Sequence, residues 1–150
     1  MTPTENQIVI PALLRAARGS YAQSIKAHLT EAGFDDLPRN GPYVLGGLVD
    51  QGGSAAQVIE ELGVTKQAAS QLIDLLVLRG YVERQVNAED HRRLTITVTE
   101  RGRAAATAVR AGVVAIDAEL SRRISPAELA GLQAGLAALA DIKEHLKARP

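Results

Sequence analysis

Four hydrogen-bonding side chains recur at helical spacing near the middle of the chain: Lys66, Gln67, Ser70 and Gln71. Ammonium, amide and hydroxyl groups of this kind bind the edges of base pairs and the phosphates beside them. Thr65 precedes them, and threonine favours the N-cap of a helix, whose positive N-terminus suits a backbone phosphate. The pattern predicts a surface that binds duplex DNA, although polar residues also face outward on any surface helix.

A pair of short helices would position these side chains. Capping residues and glycine stops predict a first helix over Ala55–Leu62, a tight turn at 63–65 and a second helix over Lys66–Arg79. This is a helix-turn-helix, in which the second helix lies in the major groove of DNA. The apolar residues expected to face inward and hold the pair together are Val58, Ile59, Leu62, Val64, Ala69 and Leu72.

Two strands are predicted directly after the helix pair, at Tyr81–Val86 and Leu94–Thr99, because these segments alternate or are rich in β-branched residues. The polar segment 87–93 joins them. A hairpin in this place makes the unit a winged helix. Arg92 and Arg93 at its tip are placed to enter a minor groove, where the negative potential attracts arginine.

Helices are predicted on both sides of the winged helix, so the expected fold class is mainly α with a small β-hairpin wing (α+β). We expect residues 37–102 to form a winged helix-turn-helix DNA-binding domain, and residues 1–36 and 103–150 to form a helical dimerisation region. The last helix carries a leucine stripe that would be the buried face of a dimer helix. The flanking helices are predicted to begin at Pro42, Glu100 and Ser125, and Pro11 would either start or kink the N-terminal helix.

Composition excludes several classes of function. The charges balance, with 17 Lys and Arg against 17 Asp and Glu, which argues against binding of nucleic acid by bulk charge alone. The absence of cysteine excludes disulfides, thiol nucleophiles, thiolate zinc sites and thiol oxidation as a signal. Aromatic residues, at 3%, are too few for the stacking platforms of single-strand binders. Without a long apolar run or a signal peptide, we expect a soluble, cytoplasmic protein.

The segment from Ser54 to Gly102 resembles the winged helix-turn-helix core of the MarR (multiple antibiotic resistance regulator) family. The resemblance implies a homodimer that binds a pseudo-palindromic operator without a cofactor, usually as a repressor relieved by a small ligand. The parts that carry it are Gly63-Val64-Thr65-Lys66, the run from Arg79 to Arg84, Asp90-x-Arg92, and Thr99-Glu100-Arg101-Gly102.

The resemblance also implies roles for residues of the wing. Arg92 would reach the minor groove, and Asp90 would hold it by a charge-assisted hydrogen bond. Arg84 and Arg93 would assist at the groove and at the phosphates. The tip departs from the family pattern at His91, where a basic residue is usual, and at residues 87–88, which replace the usual proline.

Three residues are candidates to line an effector cavity: Tyr21, His28 and Tyr43. Relatives bind phenolic or other aromatic acids between the dimer helices and the winged domain. Packing of these residues in the core or in an interface is an equally good interpretation. The three histidines lie far apart without ligand spacing, so no metal site is predicted.

Two other classes of function are alternatives to a DNA-binding regulator. A winged-helix module that binds only a protein partner is the alternative, and the balanced charge favours it. An enzyme is not expected, because the sequence shows no Ser/His/Asp or metal constellation and its paired carboxylates suit loop, helix and wing positions.

Overall fold

A computed structural model describes residues 9–50, 54–86 and 94–149 of the chain. These residues form six helices and one two-stranded antiparallel sheet, which confirms the expected fold class. Within the described ranges, no helix is both long and apolar enough to cross a membrane. In chain order the elements are α1 (Ile10–Glu31), α2 (Gly41–Asp50), α3 (Ala55–Leu62), α4 (Lys66–Leu78), β1 (Val82–Val86), β2 (Leu94–Val98), α5 (Glu100–Arg123) and α6 (Pro126–Lys147).

Hydroxyl side chains fix the starts of three helices, as their sequences predict. Ser54 and Thr65 each accept a hydrogen bond from the backbone N–H three residues further on, at 3.2 and 3.1 Å. Ser125 and Glu128 form a reciprocal capping box at the start of α6. Each cap satisfies backbone donors that a helix leaves without a partner in its first turn.

The chain divides into two compact units, Met1–Val114 and Ala115–Pro150. The first unit contains the hydrophobic core, which is built from α1, α2, α3, α4, the start of β1 and the first half of α5. Burial of this apolar surface holds the helix-turn-helix and the hairpin together. The largest fully buried side chains are those of Tyr81, Leu45, Leu76, Val44, Val58 and Val82.

The second unit consists of the end of α5 and the whole of α6. None of its described residues is buried. Its apolar stripe therefore lies open along one face of α6, with exposed fractions of 38–63% at Leu132, Leu136, Leu139, Ile142 and Leu146.

Two glycines allow the close helix contacts of the first unit. A Cβ atom at Gly102 would lie 2.1 Å from the carbonyl oxygen of Tyr81. A Cβ atom at Gly112 would lie 2.7 Å from the Cα atom of Ile25, where Ser24 Oγ donates to the Gly112 carbonyl at 2.7 Å. The start of α5 thus lies directly on the backbone that enters the hairpin, and its middle lies on α1.

The tandem glycines of α2 behave differently from each other. A Cβ atom at Gly47 would lie 2.9 Å from a methyl group of Val58, so α2 and α3 pack closely at this position. At Gly46 no atom lies within 4 Å of the added carbon. Only the second glycine is therefore required by packing.

Gly102→Ala should destabilise the protein by about 1–3 kcal/mol, because the new methyl group overlaps a backbone oxygen that cannot move aside. Gly46→Ala is the matched control and should stabilise it by about 0.4–1 kcal/mol, since a helical glycine in open space only costs entropy. Urea denaturation followed by circular dichroism measures both changes. Equal stability of the Gly102→Ala variant and the wild type would contradict the close contact.

Candidate nucleic-acid interface

The turn between α3 and α4 has the geometry of a helix-turn-helix. Gly63 ends α3 in the left-handed conformation, with φ of +66°, and its N–H donates to the Glu60 carbonyl at 3.1 Å. Thr65 then starts α4 in an extended conformation. Val58 of α3 and Ala69 of α4 are buried at 2% and 6% exposure. These small and branched side chains allow the two helices to cross closely, as the sequence predicts.

The N-terminal half of α4 presents the predicted polar face to solvent. Lys66, Gln67, Ser70 and Gln71 are all exposed, as is the cap residue Thr65. The opposite face of the helix carries the buried side chains of Ala69, Leu72 and Ile73. The side chains that could bind base edges are therefore accessible and are mounted on a helix that the core holds rigidly.

Arg84 and Asp74 form an ion pair that the sequence analysis missed. Asp74 lies on α4 one turn beyond Ser70, on the same exposed side as the polar residues. Arg84 of β1 donates to its carboxylate. The pair compensates a negative charge beside the proposed DNA-facing surface. The predicted role of Arg84 as a direct phosphate contact therefore has a competing partner in this structure.

The hairpin is regular over its described length. Its five pairs run from Val82 opposite Val98 at the base to Val86 opposite Leu94. The tip, residues 87–93, lies outside the described residues, and so do the predicted contacts Asp90, Arg92 and Arg93. The structure therefore confirms a two-stranded wing after α4 but does not test the residues proposed to enter the minor groove.

A cluster of polar and aromatic side chains lies at the base of the wing. We name it the wing-base cluster and define it as Phe34, Asp36, Arg79, Tyr81 and Arg101. Arg101 Nη2 donates to Asp36 Oδ1 and lies 3.1 Å from both this atom and the Tyr81 hydroxyl. Its Nε donates to the Arg79 carbonyl at 3.1 Å. Tyr81 donates its hydroxyl proton to Asp36, and the Arg79 guanidinium donates to the Asp36 backbone carbonyl.

The Arg101 guanidinium lies over both aromatic rings of the cluster. The Arg101 Cζ atom lies 4.6 Å from the centroid of the Tyr81 ring and 5.3 Å from that of Phe34. The rings meet edge to face at 6.1 Å. Cation–π attraction therefore adds to the hydrogen bonds that fix this side chain.

The environment of the cluster shifts two ionisation equilibria. The hydrogen bond from Tyr81 lowers the pKa of Asp36 below its ordinary value, and the positive charge of Arg101 lowers it further. Burial, followed by the hydrogen bond to Asp36, raises the pKa of Tyr81 to about 12. Near neutral pH the cluster therefore holds a carboxylate and a neutral phenol beside its two guanidinium groups.

Two of the three effector candidates, Tyr43 and His28, have separate hydrogen-bond partners. Tyr43 is 46% exposed and donates to Glu61 of α3 at 3.1 Å. His28 Nδ1 lies 2.8 Å from the Ser24 carbonyl on its own helix. Tyr21 is half-buried on α1. A cavity of about 190 Å³ lies elsewhere in the first unit, lined by Ile59, Ala69, Ser70, Ile73, Arg84 and Ile96.

Sequence reasoning could find the exposed face of α4 but not its supporting charges. Asp36, Asp74 and Arg101 were given no role, because their partners lie 10 to 65 positions away along the chain. One signal was available for Asp74, since a carboxylate four residues after Ser70 must lie on the polar face of α4. Such a carboxylate beside a surface for a polyanion requires a cation nearby.

The free energy of unfolding of the wild type should fall at alkaline pH, and Tyr81→Phe should abolish the part of this fall that comes from Tyr81. The Tyr81 phenol would ionise near its ordinary pKa of 10.0 in the unfolded chain and at about 12 in the folded protein. Its contribution to the free energy of unfolding is therefore complete below pH 10 and is lost as the pH rises through 12. The stability difference between wild type and variant should be constant from pH 7 to 9 and shrink toward pH 12 in urea titrations. A difference that stays constant to pH 12 would contradict the assignment.

Comparisons with known proteins agree with this geometry. The family model of the MarR family matches residues 35–93, which contain α2, the helix-turn-helix and the wing up to Arg93. No protein of the curated set matches the chain significantly.

Solved structures share the fold over almost the whole chain. A MarR family transcription regulator is 25% identical, with a TM-score of 0.72 over 96% of this chain and 91% of that chain. Streptococcus pneumoniae FabT in complex with DNA has a TM-score of 0.77 at 21% identity, covering 93% of this chain and 98% of that chain. The S. aureus MepR–DNA complex has a TM-score of 0.72 at 21% identity, covering 90% of this chain and 98% of that chain.

The family match covers α2, the helix-turn-helix and the first strand of the wing, and the shared fold extends over β2 and the flanking helices. The match identifies residues 35–93 as a MarR-family segment, and the chain around it has the fold of a MarR family transcription regulator that is 25% identical.

Proposed function

We propose that this protein is a transcriptional regulator that binds double-stranded DNA in a sequence-specific manner. The observation that carries the proposal is the N-terminal half of α4, where Thr65, Lys66, Gln67, Ser70 and Gln71 are exposed together on a helix anchored in the core. Major-groove recognition requires such a helix. MarR-family transcription regulators are non-enzymatic DNA-binding proteins, and the chain is not an enzyme.

The wing would hold the flanking DNA. Its two strands extend from the base at Val82 and Val98 toward the segment with Arg92 and Arg93. These arginines would reach the minor groove and phosphates, with Asp90 orienting Arg92. Each phosphate contact releases counterions, so that the affinity should fall steeply with salt concentration.

The active form would be a homodimer, and the apolar stripe of α6 supports this. Five leucine and isoleucine side chains along one face of this helix are 38–63% exposed in the single chain, and such a stripe is a surface for association. Residues 1–36 and 103–150 would form the dimerisation region, and residues 37–102 the DNA-binding domain. Two recognition helices about 34–36 Å apart would then bind a pseudo-palindromic operator, with repression as the usual result.

A small aromatic or phenolic acid would regulate the dimer. Tyr21, His28 and Tyr43 remain the residues proposed to contact it. Tyr21 and His28 lie on α1 and Tyr43 lies on α2. None of the three is fully buried, which supports their access to a ligand. The effector would act by binding one separation of the recognition helices more tightly than the other, since only unequal affinity shifts such an equilibrium.

Gln67→Ala should weaken binding to a specific duplex by about 1–3 kcal/mol and leave binding to random DNA unchanged, because an amide reads base edges. The duplex would be selected by the wild-type protein from a randomised pool of about 30 base pairs, which spans nearly three helical turns. Fluorescence anisotropy measures both affinities.

Gln23→Ala, at an exposed glutamine of α1, is the matched control and should bind both duplexes like the wild type. If the wild type shows no salt-dependent binding to duplex DNA, the proposed function as a DNA-binding regulator is wrong. A module that binds a protein partner is then favoured. Equal losses on specific and random DNA would remove Gln67 from base recognition.

Leu136→Glu should convert the dimer to a monomer, because it places a charge in the apolar stripe of α6. Operator affinity should fall with it, since one half-site contact is lost. Ala137→Glu adds the same charge at an exposed position on the other side of the helix and should remain dimeric. Light scattering after gel filtration gives the mass of each variant. A wild-type protein that is monomeric at micromolar concentration contradicts the proposed assembly.

A further inference from the structure

We propose that the wing-base cluster positions the wing for DNA binding: Asp36, Tyr81 and Arg101 fix the angle between α4 and the hairpin without touching DNA. The inference rests on the proposed function and deepens it. It assigns DNA-binding roles to side chains that lie outside the predicted contact surface. Two observations carry it: the contacts that Arg101 makes, and the hydrogen bonds that join the cluster to the loop between α1 and α2. A physical argument about the length of the hairpin completes it.

Arg101 bridges both ends of the short connection between α4 and β1. The connection begins at Arg79, the C-cap of α4, and ends at Tyr81, which directly precedes β1. Arg101 donates to the Arg79 carbonyl and contacts the Tyr81 hydroxyl, each at 3.1 Å. A single side chain of α5 therefore holds the end of the recognition helix and the start of the wing in one arrangement.

The loop between α1 and α2 anchors this arrangement from outside. Asp36 of the loop accepts hydrogen bonds from Tyr81 and from Arg101, and its backbone carbonyl accepts one from Arg79. Asp36 is thus linked to the end of α4 through its backbone carbonyl, and to the start of the wing and to α5 through its carboxylate. Because the Tyr81 ring is fully buried, its hydroxyl has one fixed direction, which makes the link geometrically specific.

The base of the hairpin continues the same network. The Thr99 N–H donates to the Tyr81 carbonyl at 3.1 Å, and its hydroxyl donates to the Gly80 carbonyl at 2.5 Å. The Thr99 Oγ1 atom also accepts from the Gly102 N–H at 3.0 Å. Both strands therefore leave the core from a backbone that α5 and the cluster hold in place.

A small rotation at the base of the hairpin produces a large displacement at its tip. A two-stranded hairpin is barely stable alone, so its direction depends on what holds its base. Five strand residues extend about 16 Å, and a rotation of about 10° at the base moves the far end by about 3 Å. A hydrogen bond to DNA does not survive a displacement of that size. Contacts made by the wing should therefore be lost when the cluster is broken, even though α4 keeps its own contacts.

The experiment compares Asp36→Asn and Tyr81→Phe with the wild type on the duplex selected by the wild-type protein and on a random duplex. For Asp36→Asn, the direction of the change in DNA affinity distinguishes two roles of the carboxylate. A carboxylate that acted only through its charge would repel DNA, and its removal would strengthen binding. The positioning role requires the opposite. Tyr81→Phe changes no charge at neutral pH, so any effect on DNA binding must come through geometry.

Both variants should bind the selected duplex about 2- to 30-fold more weakly, the range expected for residues coupled to a site that they do not touch. The slope of log affinity against log salt should become shallower by about 1 for each phosphate contact that the wing loses. Titration at stoichiometric concentration gives the folded, active fraction, and affinities are corrected for it. Asp50→Asn is the matched control, because it removes a carboxylate that pairs with Arg110 away from the cluster. It should bind as tightly as the wild type or slightly more tightly.

The outcomes separate this inference from the function on which it rests. Wild-type protein that binds no duplex overturns both. Wild-type binding together with unchanged or tighter binding by Asp36→Asn overturns only the positioning role. A weaker Tyr81→Phe variant whose salt slope is unchanged after correction for active fraction shows a structural role alone, which also overturns it. Weaker binding and a shallower slope in both variants, with Asp50→Asn unaffected, support it.

Discussion

The winged helix depends on the placement of one guanidinium group, that of Arg101. It lies against the buried ring of Tyr81 and the half-buried ring of Phe34, and it satisfies Asp36 and a helix-terminal carbonyl at the same time. A buried phenol needs a polar partner for its hydroxyl, and a carboxylate beside it needs a cation. The cluster meets both needs and, in doing so, joins α4, the wing, α5 and the loop before α2.

Helix boundaries could be predicted from the sequence because the interactions that set them are local. Ser54, Thr65 and Ser125 each bond to a group three residues away, and the turn glycines act through their own backbone. The wing-base cluster could not be predicted in this way. Its hydrogen bonds join residues 45 and 65 positions apart, and a single sequence gives no reason to pair Asp36 with Tyr81 rather than with another polar residue.

The candidate site was predictable in its surface and not in its electrostatics. Helical spacing alone places Lys66, Gln67 and Gln71 outward, and the structure places them there. Arg84 looks like a free cation in the sequence, yet its partner Asp74 lies on another element, within reach only after α4 and β1 have packed together. Charge pairing across elements depends on tertiary structure, so residue type predicted which side chains of α4 are exposed but gave an incomplete account of the charges beside them.

The balanced net charge has a further consequence for how this surface would bind DNA. A strongly basic protein tolerates poor geometry, because many cations act over a distance of about 10 Å. Here the cations Arg84 and Arg101 are already paired with Asp74 and Asp36. Affinity must then come from a few contacts placed correctly at the same time, on α4 and on the wing. For such a protein, the rigidity of the connection between these two elements limits the affinity as much as the contacting side chains do.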